Sequence, residues 1–162
     1  MNIIFLGTTG VHHALVAANI YVGHLKDKKY YILKDYANLH LELTGFPIFI
    51  GKDKQGNRVY SLGAGKDLAI AKKMIEEFTI IMGYSKSEML VKPVSIYGEK
   101  LLALVSTIPE WLGGRLWSSL LASIIIKSQL PAIKRDIEEF SRKIIDTEDT
   151  ENYEFFYWRV KL

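Results

Sequence analysis

Hydrophobic and polar positions in the N-terminal part of the chain predict two kinds of element in alternation. Residues 2–6 form a short, β-branched apolar run that ends at a glycine, which is typical of a buried strand in a parallel sheet. Residues 12–25 carry apolar side chains around most of a helical circumference, so a helix here must be covered on most sides. Two β-rich runs, 48–52 and 58–62, flank a polar loop that contains a glycine, which predicts a β-hairpin.

The pattern between and after these runs predicts two further helices and one strand. A short helix is expected over residues 32–39. Asp67 is the expected N-cap of an amphipathic helix that stops at Gly83. Residues 89–96 are expected to form a strand at an edge or a bend, because Pro93 lacks an N–H group. The predicted buried stripe of the amphipathic helix consists of Leu68, Ala71, Ile75, Phe78 and Met82.

The C-terminal third predicts helices followed by an aromatic end. Helices are expected over residues 99–106 and 115–127, and Pro131 fits the first turn of a last helix. Residues 146–162 are predicted to be an acidic linker followed by an aromatic strand or arm, which either packs on its own domain or reaches a second subunit. The apolar stripe of the last helix consists of Ile133, Ile137, Phe140 and Ile144.

Strands that alternate with helices favour an α/β fold. Residues 1–162 are expected to form a single domain of three layers, with a mostly parallel sheet, a β-hairpin excursion and flanking helices. Such an arrangement is Rossmann-like or P-loop-like.

Composition narrows the classes of function. The chain is 49% hydrophobic and 24% charged with a net charge of +3, and its charges are mixed in sign, so a nucleic-acid partner is not favoured. The absence of cysteine excludes disulfides, thiolate metal sites and cysteine nucleophiles. The apolar start lacks the basic residues of a signal peptide and is broken by Gly, Thr and His, so a cytoplasmic protein without a membrane span is expected.

The stretch GTTGVHH is the main candidate site, because it joins a predicted strand to a predicted helix. Ligands of α/β sheets bind beyond the carboxyl ends of strands, where a glycine turn and a helix N-terminus direct N–H groups at one point. Phosphate is the expected ligand class, although an ordinary tight turn would show the same pattern. The candidate ligand-binding residues are Gly7, Thr8, Thr9 and Gly10, and the candidate proton-transfer residues are His12 and His13.

Two weaker candidates lie further along the chain. The segment GAGKD, with Lys66, resembles the end of a Walker A loop, but Tyr60 replaces its first glycine and Asp67 replaces the Ser or Thr that would bind magnesium. Arg115, after a glycine pair, could close over a phosphate or simply begin a helix. The histidines show no metal-ligand spacing, so no metal site is expected and the cofactor stays open.

The chain resembles a family of short, uncharacterised bacterial proteins, found largely in spore-forming Firmicutes, that is known as a domain of unknown function. The resemblance rests on NIIF, on GVHHALVAANIYVG from Gly10, on FIGKDKQGNRVYSLG from Phe49, and covers about residues 1–128. The family pattern has a Gly-Gly-x-His-Ser-Ser turn, an alanine-rich helix and a D-x-x-G-N-x-V-Y hairpin. Here the two serines are replaced by His13 and Ala14, and Gly7 stands where a cysteine often ends the first strand, so any chemistry of those groups would be lost.

Two functions therefore stay open. One is a small phosphate- or nucleotide-binding enzyme in which residues 7–10 bind the anion and His12 acts as general acid or base. The other is a non-catalytic interaction protein, regulatory in sporulation by analogy with the resembling family. A homodimer is expected in either case, with the aromatic end at or near the contact.

Overall fold

The computed structural model describes residues 1–25, 29–95 and 124–144, apart from the side chain of Lys86. The helix predicted over 99–106, most of the helix predicted over 115–127, Arg115 and the aromatic end at 146–162 lie outside these residues.

The described part of the chain contains a mixed four-stranded sheet. Strands β1 (Asn2–Gly7), β2 (Ile48–Lys52), β3 (Arg58–Gly63) and β4 (Met89–Pro93) lie in the order β2-β3-β1-β4. β1 pairs in parallel with β3 and β4, and β2 pairs antiparallel with β3. The predicted hairpin is confirmed, and within the described residues the strand with Pro93 lies at an edge of the sheet, as predicted.

β1 is buried on both faces, which explains its continuous apolar sequence. Ile3 and Phe5 point to one face and Ile4 and Leu6 to the other, since side chains alternate along a strand. The first face forms the main core with the helix α1 (His13–Tyr21) and with residues 124–144, which are helical and are called α4 here. This core brings together Ile3, Phe5, Ala17, Ala18, Val59, Val94, Ile133, Ile137 and Ile144.

The helix α3 (Leu68–Ile81) packs beside β4 and β1. The connection from β1 to β3 and the connection from β3 to β4 run in opposite directions along the sheet. Because such crossovers are right-handed, they place α1 and α3 on opposite faces of the sheet. The described residues thus have an α/β fold with helices flanking a mixed sheet.

Three sequence predictions about helices are corrected. Residues 32–39 do not form a helix: Tyr30–Ile32 is a 3-10 turn, Asp35 and Ala37 have φ of 66° and 57°, and the helix α2 spans Leu39–Thr44. These left-handed conformations prevent a continuous helix over residues 32–39. The Asn38 side chain then caps α2 by accepting a hydrogen bond from the Leu41 N–H at 3.4 Å.

The buried side of α3 agrees with the predicted stripe at Leu68, Ala71 and Ile75, which are half-buried, and differs from it in the last turn. Thr79 is its buried residue, whereas Phe78 is 62% exposed and Met82, just after the helix, is also exposed. Asp67 is the N-cap residue, but its side chain makes no capping hydrogen bond. Gly83 follows with φ of 84°, which agrees with the predicted stop.

Pro131 does not begin the last helix, because residues 124–130 before it are already helical. The proline ring lies on the exposed side of α4. Proline has no N–H group to donate to the carbonyl one turn earlier, and on this side of the helix water can hydrate that carbonyl. The predicted stripe of Ile133, Ile137 and Ile144 is buried as expected. No helix in the described segments is both long and apolar enough to cross a bilayer.

Candidate functional site

The turn between β1 and α1 lies at the carboxyl edge of the parallel strands, against the loop that follows β3. The Ala64 N–H donates to the Gly7 carbonyl at 2.8 Å, and the Gly65 N–H donates to the Thr8 carbonyl at 3.2 Å. The buried Ser61 hydroxyl donates to the Gly10 carbonyl at 2.5 Å. These bonds hold the two loops together at the place where α/β sheets bind ligands.

Two glycines allow this close approach. A Cβ on Gly10 would lie 2.6 Å from the backbone nitrogen of Gly63, and a Cβ on Gly63 would lie 2.7 Å from the nitrogen of Gly10. Contacts this short to backbone atoms cannot be relieved by a side-chain rotation. Glycine is therefore required at both positions for the two loops to approach each other this closely.

A carboxylate from a distant part of the chain occupies the turn. The backbone N–H groups of Gly10 and Val11 donate to Oε2 of Glu42 at 2.8 and 3.0 Å, and Oε1 of Glu42 lies against the Cα of Gly63. We call the N–H groups of Gly10 and Val11 with the Cα of Gly63 the anion cradle. The cradle thus holds an anionic group that the chain itself supplies.

Burial raises the pKa of the Glu42 carboxyl, while the hydrogen bonds from Gly10 and Val11 and the charge of His13 act in the opposite direction. Because the net shift is upward, desolvation of the carboxylate outweighs the favourable contacts that it makes in the cradle. Glu42 therefore occupies the cradle at a cost in electrostatic free energy.

His12 lies beside the cradle and is almost completely buried. Its Nδ1 is 3.1 Å from the Thr9 hydroxyl oxygen, and its ring meets the ring of Tyr36 edge-on at 5.7 Å between centroids. Burial, with a smaller contribution from the charge of His13, lowers the pKa of His12 to about 4. The imidazole is therefore neutral at neutral pH. It can donate one hydrogen bond and accept another without bringing a positive charge to the site.

The other candidate residues of the turn are brought together as well. His13 is fully buried at the first position of α1, and a Cβ on Gly7 would collide with its Nε2 atom. The Thr8 hydroxyl oxygen is buried and has no hydrogen-bond partner within the segments that the structure describes. Lys66 follows β3 at the same edge of the sheet and is exposed.

Glu42 is the site residue that the sequence did not reveal. It is 32 positions from Gly10 and lies in a short segment, LHLELT, that has no glycine motif and whose alternating apolar and polar residues are not typical of the helix that forms there. Nothing in that segment indicates a buried carboxylate. No group of three or more His, Asp or Glu side chains suited to a metal ion occurs among the described residues.

A second concave feature lies on the face of the sheet that carries Ile4. It is an open groove of about 380 Å³ lined by Asn2, Ile4, Pro47, Arg58, Tyr60 and Met89. Asn2, Arg58 and Met89 are the first residues of their strands. Because ligands of parallel sheets bind at the carboxyl ends of strands, the turn is the stronger candidate site.

Comparison with known proteins identifies the family and adds no activity. No curated protein matches the chain. No solved structure matches it either. A family model described as a protein of unknown function (DUF3189) matches residues 2–142, and this agrees with the expectation of an uncharacterised family. The match includes β1, the turn, α2 with Glu42 and most of α4, and the chain belongs to the family DUF3189.

Proposed function

We propose that this chain binds a small phosphate-bearing molecule at the anion cradle. One observation carries the proposal: the N–H groups of Gly10 and Val11 already hold a carboxylate oxygen, at 2.8 and 3.0 Å. These distances lie in the ordinary range of N–H···O hydrogen bonds. A terminal phosphate oxygen would make the same two bonds in the place of Oε2 of Glu42.

The surroundings favour an anion over a neutral ligand. The cradle precedes the N-terminus of α1, so the positive end of the helix dipole lies next to the bound group. The first turn of α1 contains no acidic residue that would offset this positive potential. The Thr8 hydroxyl is an available partner for a second ligand oxygen within the described segments. Lys66, exposed at the same edge of the sheet, supplies positive charge for a phosphate that extends toward solvent.

The proposal gives His12 the role of a neutral group at the site. Because its pKa is lowered to about 4, His12 is neutral at neutral pH and meets the ligand as an imidazole rather than as an imidazolium. A general-base role is the form of catalysis compatible with this ionisation. Lys66 and Arg115 remain proposed contacts for the remainder of the ligand.

Binding is tested by thermal unfolding with inorganic phosphate, glycerol 3-phosphate or ADP, with glycerol and adenosine as matched controls that lack phosphate. A ligand at a hundred times its dissociation constant adds about 2.7 kcal/mol of stability. We expect stabilisation by at least one phosphate compound and none by the controls. Phosphorus NMR of the same samples shows whether the bound compound is also hydrolysed or transferred.

The binding site is tested by amide NMR. Phosphate binding should shift the backbone N–H signals of Gly10 and Val11 more than those of the hairpin residues Gln55 and Gly56, which lie outside the site. If no phosphate compound stabilises the protein, or if the Gly10 and Val11 signals do not move, the proposal is wrong.

The same carboxylate also supports a second candidate, a non-catalytic interaction protein. In this alternative, Glu42 is a permanent brace that satisfies the N–H groups of the turn and joins α2 to the rest of the fold. Replacing Glu42 by alanine would then destabilise the protein without creating affinity for phosphate. That result would favour the interaction protein over the phosphate-binding enzyme.

A further inference from the structure

The contact between Glu42 and the cradle is specific and polar, whereas the helix that carries Glu42 is exposed. None of the six residues of α2 is buried. Leu43 is 86% exposed, and Phe46, just after the helix, is 76% exposed. Apolar packing therefore contributes little to holding α2 in place, and the carboxylate contact is its main described link to the turn.

The hydrogen bonds at the two ends of α2 are made within the segment itself. The Asn38 side chain caps its first turn, and the Thr44 hydroxyl donates to the Leu41 carbonyl at 2.7 Å. Because these bonds close within the segment, they need not break if α2 moves. The segment can therefore be displaced as a unit.

Residues with positive φ flank α2 on both sides. Asp35 and Ala37 have φ of 66° and 57° before it, and Gly45 has φ of 66° after it. The left-handed region is unfavourable for Asp and especially for Ala, so this conformation is maintained by contacts elsewhere. One such contact is the Ala37 N–H, which donates to the Val11 carbonyl at 3.0 Å.

We propose that residues 38–46 form a hinged lid and that Glu42 is an internal competitor for the anion cradle. Leu33 and Tyr36, before the hinge, pack against a buried cluster of the core and stay in place. The inference rests on the proposed function, since it describes the regulation of the same site. An incoming phosphate replaces the Glu42 carboxylate on the N–H groups of Gly10 and Val11, and α2 swings away about Ala37 and Gly45. The lid thus couples anion binding to the exposure of the surface beneath α2.

This coupling has a measurable size. A ligand that binds only the open state has its apparent affinity reduced by the open fraction, so a lid that is closed about nine-tenths of the time weakens binding by about tenfold. Removing the competing carboxylate removes this penalty. Glu42→Gln removes the charge of the side chain and keeps its volume and a hydrogen-bond acceptor, whereas Glu42→Ala removes all three.

The first experiment measures phosphate and ADP affinity by calorimetry in the full chain, in Glu42→Ala and in Glu42→Gln. Glu77→Gln, an exposed substitution on α3, is the matched control. We expect Glu42→Ala to bind about tenfold tighter than the natural chain or more, Glu42→Gln to lie between them, and the control to equal the natural chain. Circular dichroism establishes that each variant is folded, and Glu42→Gln retains the shape of the side chain if the alanine variant unfolds.

The results separate the two proposals. If neither the natural chain nor the Glu42 variants bind phosphate or ADP, the proposed function itself is wrong. If the natural chain and the variants bind equally tightly, the site exists and the lid is wrong.

A second readout tests the motion. Saturating ADP should increase hydrogen exchange in residues 38–46 of the natural chain, although ligands usually protect a protein from exchange. Unchanged or slower exchange in this segment, together with tight binding, would overturn the lid.

Discussion

At the scale of single residues, the site depends on two groups whose ionisation responds to burial in opposite ways. Burial lowers the pKa of His12 and raises the pKa of Glu42, so both neutral forms are favoured relative to water. Glu42 nevertheless meets two N–H donors that suit its ionised form. Folding stability should therefore depend on pH through both groups, with opposite signs.

We predict that His12 makes the protein acid-sensitive. With a pKa of 6.5 when unfolded and about 4 when folded, His12 contributes stability that is fully present above pH 6.5 and is lost as the pH falls to about 4. The full difference corresponds to about 3 kcal/mol. Urea unfolding of the natural chain and of His12→Asn at several pH values measures it. The natural chain should lose more stability on acidification, and parallel curves would contradict the prediction.

The sequence predicted the turn but not its occupant. Two glycines, two threonines and a helix start are local features, and they located residues 7–13 because strand, turn and helix follow one another directly. The identity of Glu42 depends on a contact between residues far apart in the chain, and the burial of His12 depends on Tyr36 and the surrounding core. No local pattern carries that information.

At the scale of elements, the loop of the β2-β3 hairpin explains the D-x-x-G-N motif. Oδ1 of Asp53 accepts from the backbone N–H of Gln55 at 3.0 Å and of Asn57 at 2.8 Å. Oδ2 accepts from Nδ2 of Asn57 at 3.0 Å and from the Tyr21 hydroxyl at 3.1 Å. Gly56 has φ of 86°. The motif is thus a structural loop that also ties the hairpin to α1.

Replacing Asp53 by alanine should destabilise the hairpin and its contact with α1. The substitution leaves several donors without their charged acceptor, and we expect the free energy of unfolding to fall by about 1–3 kcal/mol. Gln55→Ala, an exposed change in the same loop that preserves the backbone N–H, is the control. Urea denaturation of both variants measures the difference, and equal midpoints would show that the Asp53 bonds contribute nothing.

Elements with strong local patterns were predicted more accurately than elements positioned by tertiary contacts. The hairpin follows from alternation and turn residues, and β1 follows from its β-branched run. α2 was misplaced because Asp35 and Ala37 have left-handed conformations that propensity does not reveal. The last turn of the buried side of α3 was misassigned because several apolar faces compete on one helix, and only the position of the sheet selects one of them.

At the scale of the whole molecule, the homodimer remains a prediction. Five aromatic residues lie between Tyr153 and Trp158, and side chains in a strand would alternate, so both faces need cover. Exposed apolar side chains on α3, which include Ile70, Met74, Phe78 and Ile81, offer additional surface of the kind found at interfaces. Light scattering of the full chain and of a version ending at Asp149 tests this. A full-length monomer at tens of micromolar would refute the dimer, and an equally stable truncated dimer would refute the role of the aromatic end.

The core joins parts of the chain that are far apart in sequence. Phe5 in β1 packs edge-on against Phe140 in α4, with 5.7 Å between ring centroids, and the Lys92 ammonium of β4 contacts the Asp136 carboxylate at 2.7 Å. Ile137 is almost completely buried in the same cluster as Ile3. α4 is therefore part of the cooperative unit that positions the end of β1, and with it the turn that forms the cradle.

This arrangement predicts a large difference between two isoleucines of α4. Ile137→Ala should lower the free energy of unfolding by about 2–5 kcal/mol because it leaves a cavity in the shared core. Ile124→Ala, at a position that is 64% exposed, should change it by less than about 0.5 kcal/mol. Hydrogen exchange of the Ile3 and Phe5 amides shows which elements lose stability. Faster exchange in β1 of the Ile137→Ala variant means that helix and sheet unfold together. If β1 keeps its protection while α4 alone loosens, the helix is a separate unit and the cradle does not depend on it.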